Sequence, residues 1–258
     1  MELSTEVLVR LTAQALSTFL GGSPGFEART SGAVWLVLSG EPVADLNYLL
    51  ALDGSARGAA TFGTFAEVCA DRDLPFVAMV APEAVQGLSE SRRRLGLEHV
   101  VDWPLMVCPA SAVRAHADPD LQISRATAPE DLRDSASVLA RAFGMPEDSV
   151  TRTVTQSTVN LPGFRVSLAR RGGEALSTVT VTRHGSVAGI WAMGTAPEAQ
   201  GKGVGKALLS TVMAEEKDRG VEAFFLGATP AGKPLYDRLG YRTVAELQAW
   251  VRGVTTQA

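Results

Sequence analysis

A glycine-rich segment between an apolar run and a helical pattern is the feature that most restricts how this chain folds. Residues 190–195 are mostly apolar, residues 200–206 read Gln-Gly-Lys-Gly-Val-Gly-Lys, and residues 206–216 carry apolar side chains at helical spacing. A strand, a glycine turn and a helix in this order can hold phosphate, because converging N–H groups and the helix dipole favour negative charge there. A tight turn without any ligand would give the same pattern.

Two common phosphate-binding motifs do not fit this turn. A Walker loop that ends at residues 205 and 206 requires glycine where Gln200 stands and a hydroxyl where Ala207 stands. The dinucleotide pattern Gly-x-Gly-x-x-Gly fits at Gly201 and Gly203 but meets Lys206 at its third glycine. A nucleotide-dependent kinase or dehydrogenase is therefore disfavoured, whereas Gln/Arg-x-x-Gly-x-Gly/Ala fits residues 200–205.

A second motif follows at a fixed distance. Residues 223–227 form a short apolar run, and residues 235–241 read Leu-Tyr-Asp-Arg-Leu-Gly-Tyr, a short helix that ends at Gly240. The glycine turn and this segment resemble the pyrophosphate loop and the Leu-Tyr-x-x-x-Gly-Phe/Tyr signature of the GNAT N-acetyltransferase family, in the family's order and spacing. The resemblance covers residues 121–252, about half of the chain.

The resemblance implies a fold, a reaction and a set of site residues. The fold is α/β, with a mixed, mostly antiparallel sheet flanked by helices. The reaction is acetyl transfer from acetyl-CoA to a primary amine by direct attack in a ternary complex, without a metal. The acetyl-CoA contacts implied are Met193, Gly194, Thr195, Gln200, Gly201, Lys202, Gly203, Val204, Gly205, Lys206 and Thr229.

The catalytic residue that the resemblance implies is Tyr236. A phenol with a pKa of ~10 stays protonated at neutral pH and can serve a departing thiolate, whose thiol has a pKa of ~8.5. A buried packing role is the alternative for Tyr236. The general base is not identified. Glu174, Glu198 and His184 stand in loops or at strand ends from which they could reach a pocket, and an ordinary surface position is the alternative for each. Water can serve as the base instead. Trp191 is expected either to line the acceptor pocket or to lie in the core.

Three positions depart from the family pattern. Thr229 stands where the family often has a cofactor-holding asparagine, Gly232 stands where alanine is common, and Gln200 replaces the more frequent arginine. Because of these departures and the unassigned base, a second function stays open: a non-catalytic acetyl-CoA-binding sensor or scaffold that has kept the loop and lost turnover.

The first half of the chain resembles the degenerate N-terminal half of tandem GNAT-like proteins. Residues 91–97 align with residues 235–241, and Arg92 takes the position of the tyrosine. Residues 53–58 follow the corresponding strand but lack the Gly-x-Gly turn. We therefore predict two tandem GNAT-like domains: residues 1–110 without cofactor chemistry, a linker at 111–120, and an acetyltransferase domain at 121–258. An unrelated α/β domain is the alternative for the first half.

Composition limits the partners and the compartment. Residues 1–120 carry 8 basic and 15 acidic residues (−7), and residues 121–258 carry 16 basic and 13 acidic residues (+3). An acidic chain without a basic stripe gives no support to nucleic-acid binding. No apolar run reaches the ~18 residues of a membrane span, and two cysteines form no disulfide framework. We expect a cytoplasmic enzyme for a small-molecule or peptide amine. Homodimerisation stays open, as does whether the first half shapes the acceptor pocket or only adds stability.

Overall fold

The computed structural model describes residues 3–154 and 156–252, with the side chains of residues 156 and 157 outside the description. In chain order the elements are α1 (Thr5–Leu20), β1 (Glu27–Ser31), β2 (Val34–Leu38), β3 (Asn47–Ala51), α2 (Ala56–Asp71), β4 (Val77–Val80), α3 (Pro82–Val85), α4 (Ser89–Arg94), β5 (Leu97–Pro109), β6 (Gln122–Arg125), α5 (Pro129–Phe143), α6 (Glu147–Thr153), α7 (Gln156–Val159), β7 (Phe164–Arg171), β8 (Glu174–His184), β9 (Val187–Thr195), α8 (Val204–Asp218), β10 (Ala223–Gly227), α9 (Lys233–Arg238) and β11 (Arg242–Arg252).

The chain divides into two compact units that do not follow the sequence order. Unit 1 comprises Met1–Leu105 together with Thr243–Ala258, and unit 2 comprises Met106–Arg242. The chain passes into unit 2 within β5 and returns to unit 1 at the beginning of β11. The predicted domain boundaries at residues 110 and 121 remain a prediction. The division into compact units falls at other places, after Leu105 and after Arg242.

In unit 1 the strands lie in the order β1-β2-β3-β4-β11. The strand β2 reads Val-Trp-Leu-Val-Leu and is buried along its whole length, so both of its faces are covered. The strands β3 and β4 run parallel, and β11 pairs antiparallel with β4. Trp250 of β11 is completely buried in a core that also contains Phe62 of α2, with the two rings edge to face at 6.3 Å. The last strand of the sequence therefore completes the core of unit 1.

In unit 2 the strands lie in the order β10-β9-β8-β7-β6, with β9 and β10 parallel and the other neighbours antiparallel. The two faces of β8 carry different helices. Val179 and Val181 pack in a core with Leu208 and Val212 of α8. On the opposite face the Thr178 hydroxyl lies 2.7 Å from the Ser135 hydroxyl of α5. The helices α5 and α8 thus cover opposite faces of this sheet.

The predicted fold class, a mixed and mostly antiparallel sheet flanked by helices, is confirmed. The sequence pattern predicts one helix over residues 83–95, and the structure has two short helices there, α3 and α4. The strand β1 was not predicted, because its polar, half-exposed residues lack a clear alternation. The alternation of threonine and valine over residues 178–182 predicts a half-exposed antiparallel strand. The half-exposure is wrong, because Thr178, Thr180 and Thr182 are buried. None of the helices in the described ranges is long and apolar enough to cross a bilayer.

Candidate active site

A β-bulge interrupts β9 shortly before the glycine turn. Thr178 pairs with Gly194 and Thr180 pairs with Trp191, so two residues of β9 lie opposite one residue of β8. Ala192, one of these two residues, has a φ of 45°, in the left-handed region that non-glycine residues rarely adopt. A bulge bends its strand and turns the following backbone groups. The direction of residues 193–195 is therefore set by this bulge.

The strands β9 and β10 are paired only over their first residues. The parallel register joins Ala223–Phe225 to residues 187–189, although β9 continues to Thr195 and β10 to Gly227. Beyond residue 189, no further pair between these two strands is present in the described residues. The predicted cofactor residues Met193, Gly194 and Thr195 therefore border an opening, where backbone groups without a partner on β10 can pair with a ligand. The carbonyls of Gly194 and Thr195 already accept side-chain hydrogen bonds.

The glycine turn leads into an uncapped helix. Gly201 and Gly203 have φ angles of 72° and 80°, which favour glycine strongly. No heavy atom lies within 4 Å of the position that a Cβ would take at either residue, so both face open space. Gly203 is the N-cap of α8 and supplies no side-chain hydrogen bond to the helix. The first N–H groups of α8 are thus available to an anion, as the predicted phosphate site requires.

The other predicted residues of the turn are placed differently. A Cβ at Gly205 would lie 2.8 Å from Thr195 Oγ1 and 3.0 Å from Met193 Cε, so this glycine lets α8 pack closely against β9. The Val204 side chain is fully buried. Gly205 and Val204 can therefore offer a ligand only their backbone. Gln200 donates from Nε2 to the Thr195 carbonyl at 3.0 Å, which ties the turn to the end of β9.

Lys202 lies near an ion pair that joins the turn to α5. Glu198, just before the turn, forms an ion pair with Arg141 of α5. The hydrogen bond from Arg141 lowers the pKa of Glu198, and Lys202 contributes in the same direction. Glu198 is thus ionised and already engaged, which makes it a poor general base. Lys202 is exposed and Lys206 is half-buried on the first turn of α8.

Tyr236 lies on α9 with its ring buried and its hydroxyl free. The side chain is 7% exposed, and burial raises the pKa of its phenol to about 12. The hydroxyl makes no hydrogen bond among the described residues. The Tyr236 hydroxyl oxygen is not completely buried, so it reaches solvent. A protonated hydroxyl that reaches solvent and makes no hydrogen bond in the described residues suits proton transfer to a bound thiolate.

The two departures from the family pattern near Tyr236 have a local explanation. A Cβ at Gly232 would lie 3.0 Å from Tyr236 Cε2, so glycine makes room for the ring. The Thr229 hydroxyl accepts a hydrogen bond from Gly232 N at 3.1 Å and so stabilises the turn before α9. Thr229 is exposed, and its side chain therefore has a structural task besides any contact with a ligand.

The remaining candidate bases lie at opposite ends of β8. His184 pairs with Val187, at the opposite end of β9 from Thr195, which is about 26 Å away at ~3.3 Å per residue. Burial lowers the pKa of His184. Glu174 is exposed at the beginning of β8, where its charge helps to raise the pKa of Arg141, the partner of Glu198. The described residues contain no group of His, Cys, Asp and Glu side chains that could hold a metal ion.

Trp191 lies in the core beside the opening. Its indole N–H donates to Thr182 Oγ1 at 2.8 Å, and its ring meets Phe225 edge to face at 5.5 Å. A Cβ at Gly189 would lie 2.5 Å from the indole nitrogen, so the ring covers this glycine. Of the two roles expected for Trp191, the packing role fits these contacts. Ser177, which the sequence did not single out, donates to the Gly194 carbonyl at 2.7 Å and so supports the cofactor strand.

The corresponding position of unit 1 is closed. The parallel register of β3 and β4 runs to Ala51, and Ala81 N donates to the Ala51 carbonyl at 2.9 Å beyond it. A Cβ at Gly87 would lie 1.8 Å from the Gly54 carbonyl oxygen, so these backbones are in direct contact. The helix α2 is capped by Ser55. Strand opening and free helix N-terminus, both present in unit 2, are therefore missing at this place.

Comparisons with known proteins agree with this geometry. Residues 162–243 match the model of an acetyltransferase (GNAT) domain. A GCN5-related N-acetyltransferase from Kribbella flavida is 17% identical, with a TM-score of 0.71 over 98% of each chain. One from Sphaerobacter thermophilus is 18% identical, with a TM-score of 0.62 over 85% of this chain and 76% of that chain.

A tandem GNAT protein from the clavulanic acid biosynthesis pathway is also similar. It is 12% identical, with a TM-score of 0.59 over 99% of this chain and 98% of that chain. No curated protein matches the chain. At these identities the solved structures show the fold alone. Together with the match at residues 162–243, they confirm the predicted resemblance to GNAT proteins, including one with tandem domains.

Proposed function

We propose that unit 2 is an acetyl-CoA-dependent N-acetyltransferase that transfers the acetyl group to a primary amine by direct attack in a ternary complex. The observation that carries this proposal is the opening between β9 and β10, which stops their pairing at Gly189 and Phe225 and lies beside the uncapped N-terminus of α8. A ligand that fits must combine a phosphate with an extended arm that can pair with backbone groups. Acetyl-CoA has both parts.

In this proposal each part of the opening has a separate task. The N–H groups of the turn at residues 200–206 bind the pyrophosphate, with positive charge from Lys202 and Lys206 nearby. The free backbone groups of Met193–Thr195 pair with the pantetheine arm in a short β-like ladder. Open space in front of Gly201 and Gly203 supports the close approach that the phosphates need. Acetyl-CoA supplies the activated acetyl group as a thioester.

Tyr236 is proposed to donate the proton that the leaving sulfur gains. A C–N bond forms, the C–S bond breaks, and one proton must pass from the amine nitrogen to the sulfur. The nitrogen gives its proton to water, the phenol donates its own proton to the thiolate, and the phenol regains a proton from solvent, so the residue is unchanged after turnover. With its pKa raised to about 12, Tyr236 remains a proton donor across the neutral range.

A non-catalytic acetyl-CoA sensor or scaffold is the second proposed function. It is favoured by the state of the predicted bases: Glu198 is engaged by Arg141, and His184 lies at the far end of β9. Both functions require the same cofactor site. They differ only in whether an amine is acetylated.

One experiment tests the cofactor site and then separates the two functions. Thermal-shift measurements with acetyl-CoA, CoA, ATP and NAD should show stabilisation by the first two only. A ligand at 100 times its Kd adds ~2.7 kcal/mol to the free energy of unfolding. Release of free thiol is then followed with methylamine, benzylamine, phenethylamine, lysine and a short peptide as acceptors. Absence of a shift at millimolar CoA would contradict both functions, whereas a shift without thiol release would favour the sensor.

The partners and the compartment are part of the proposal. We expect a small-molecule or peptide amine as acceptor, and neither nucleic acid nor a membrane as partner. Cys69 and Cys108 are both free and buried, as is usual for a protein of a reducing cytoplasm. Homodimer formation is to be checked by sedimentation of the full chain.

A further inference from the structure

The buried threonines of β8 are unequally engaged in hydrogen bonds. Thr178 Oγ1 lies 2.7 Å from Ser135 Oγ, and Thr182 Oγ1 accepts from the indole of Trp191 at 2.8 Å. Thr180, between them in the sequence, shares their face because side chains alternate along a strand. No hydrogen bond to the Thr180 hydroxyl is present among the described residues. It is the one threonine of this row whose hydroxyl the fold leaves unused in the described part.

This unused hydroxyl still has access to solvent. Thr180 is only 1% exposed, but its small exposed surface includes Oγ1, which is not completely buried. Buried hydroxyl groups normally find a partner, because leaving one unpaired is unfavourable. Valine has the same shape and would avoid this disadvantage. The position therefore keeps a polar group that folding does not require.

Thr180 lies at the level where the strands of the candidate site separate. It pairs with Trp191, the residue just before the bulge at Ala192. The last parallel pair of β9 and β10 joins Gly189 to Phe225, two residues before Trp191. Residues directly opposite on antiparallel strands have Cβ atoms ~5 Å apart. Thr180 thus lies across β9 from the beginning of the opening, at the same level.

Thr180 and Tyr236 also lie on different faces of the sheet. Tyr236 packs in the core that contains Val204 and Leu208 of α8, whereas Thr180 shares the face that Thr178 turns towards α5. A thioester carbonyl held in the opening can therefore be served from both sides. Tyr236 can reach the leaving sulfur from the α8 face, and the attacking nitrogen can approach the carbonyl carbon from the α5 face.

We propose that the Thr180 hydroxyl accepts a hydrogen bond from the N–H of the acceptor amine and so directs the nitrogen lone pair towards the thioester carbonyl. The amine enters from the α5 face, with Trp191 as an apolar neighbour. This inference rests on the proposed acetyltransferase function and adds to it a residue that binds the acceptor. It requires no proton transfer to or from the threonine.

The test compares Thr180→Val with Thr180→Ser and with the matched control Thr182→Val in the full chain. Without ligand, Thr180→Val should keep or raise the Tm, because no hydrogen bond is lost, whereas Thr182→Val should lower it by leaving the Trp191 indole unpaired. The Tm increase caused by CoA should be the same in Thr180→Val and the wild type. With benzylamine and phenethylamine, kcat/KM for the amine should fall about 10-fold or more in Thr180→Val and recover in Thr180→Ser.

The outcomes distinguish this inference from the proposed function. Equal kcat/KM in Thr180→Val and the wild type would overturn the acceptor contact while leaving the acetyltransferase intact. A fall in Tm as large as that of Thr182→Val would show that the hydroxyl is structural, and would overturn the inference without any turnover data. A wild type that neither responds to CoA nor releases thiol would instead overturn the proposed function, and the inference with it.

Discussion

The guanidinium carbon of Arg92 lies 5.3 Å from the centre of the Trp250 ring, and Arg92 Nε donates to the Leu97 carbonyl at 3.2 Å. Arg92 takes the place that Tyr236 has in the second half of the sequence. Where the second half has a free hydroxyl, the first half thus has a cation that stacks on the buried tryptophan of the last strand. At this position the first half therefore has a stabilising contact in place of a group that can donate a proton.

Arg92→Met should lower the free energy of unfolding by ~1–2 kcal/mol, because the stacked cation and a charge-assisted hydrogen bond are lost together. Arg93→Met is the matched control, since Arg93 is exposed on the same helix and should change stability by no more than ~0.5 kcal/mol. Urea unfolding of both variants gives the two values. Equal effects would mean that Arg92 is only a solvated surface residue.

Gly203→Glu should abolish the Tm increase caused by CoA. The carboxylate would stand in front of the helix N-terminus and oppose the phosphates, and a non-glycine residue at a φ of 80° is strained. Gly185→Glu is the matched control: Gly185 has a φ of 65°, also faces open space, and lies in the β8–β9 turn at the far end of β9. The control should lose a similar amount of stability and keep its response to CoA. A CoA response retained in Gly203→Glu would contradict the placement of the phosphates.

Tyr236→Phe should lower turnover by roughly 10²-fold and leave the affinity for CoA nearly unchanged. Its stability should change little, because the hydroxyl makes no hydrogen bond among the described residues. Tyr241→Phe is the matched control, whose hydroxyl contacts Met213 Sδ at 3.5 Å in the core. Single-turnover measurements isolate the chemical step. Unchanged chemistry in Tyr236→Phe would make this tyrosine a packing residue.

Each chain should bind one molecule of CoA. In unit 1 the contact of Gly54 with Gly87 leaves no gap for a pantetheine arm, and the Asp53 carboxylate accepts from Ser55 N at 2.8 Å at the beginning of α2. An acidic group there repels a second anion. Isothermal titration calorimetry of the full chain gives the stoichiometry directly, and Gly203→Glu should reduce it to zero. Two molecules per chain would show that unit 1 has kept a cofactor site.

His184 should make the protein less stable as the pH falls below about 6.5. Burial lowers the pKa of His184 in the folded state, so the unfolded chain binds the proton first. The contribution of the neutral imidazole is complete above the unfolded pKa and is lost progressively on acidification through that value. His184→Phe should therefore flatten the fall in unfolding free energy between pH 7.5 and pH 5 that urea titrations measure. Parallel curves for the two proteins would contradict the lowered pKa.

The sequence predicts the local motifs of this protein better than the features that adjacent strands and helices impose. The turn at residues 200–205 and the helix of Tyr236 follow from glycine placement and helical spacing, which act over a few residues. The bulge at Ala192 has no such signal, because an alanine with a positive φ is imposed by the strands around it. The burial of Thr180 was missed for a similar reason: its threonine–valine alternation indicates one apolar face and says nothing about the helix α5 over the other.

The membership of β11 in unit 1 has a consequence for synthesis of the chain. The first 105 residues are made well before Trp250, which fills their core, because all of unit 2 lies between them in the sequence. At ~5–20 residues per second, the interval is on the order of ten seconds. During this time the edge of β4 that β11 later covers has no partner from its own unit, and an unpaired strand edge invites association with other chains. The core of unit 1 is therefore begun before unit 2 is made and can be completed only after it.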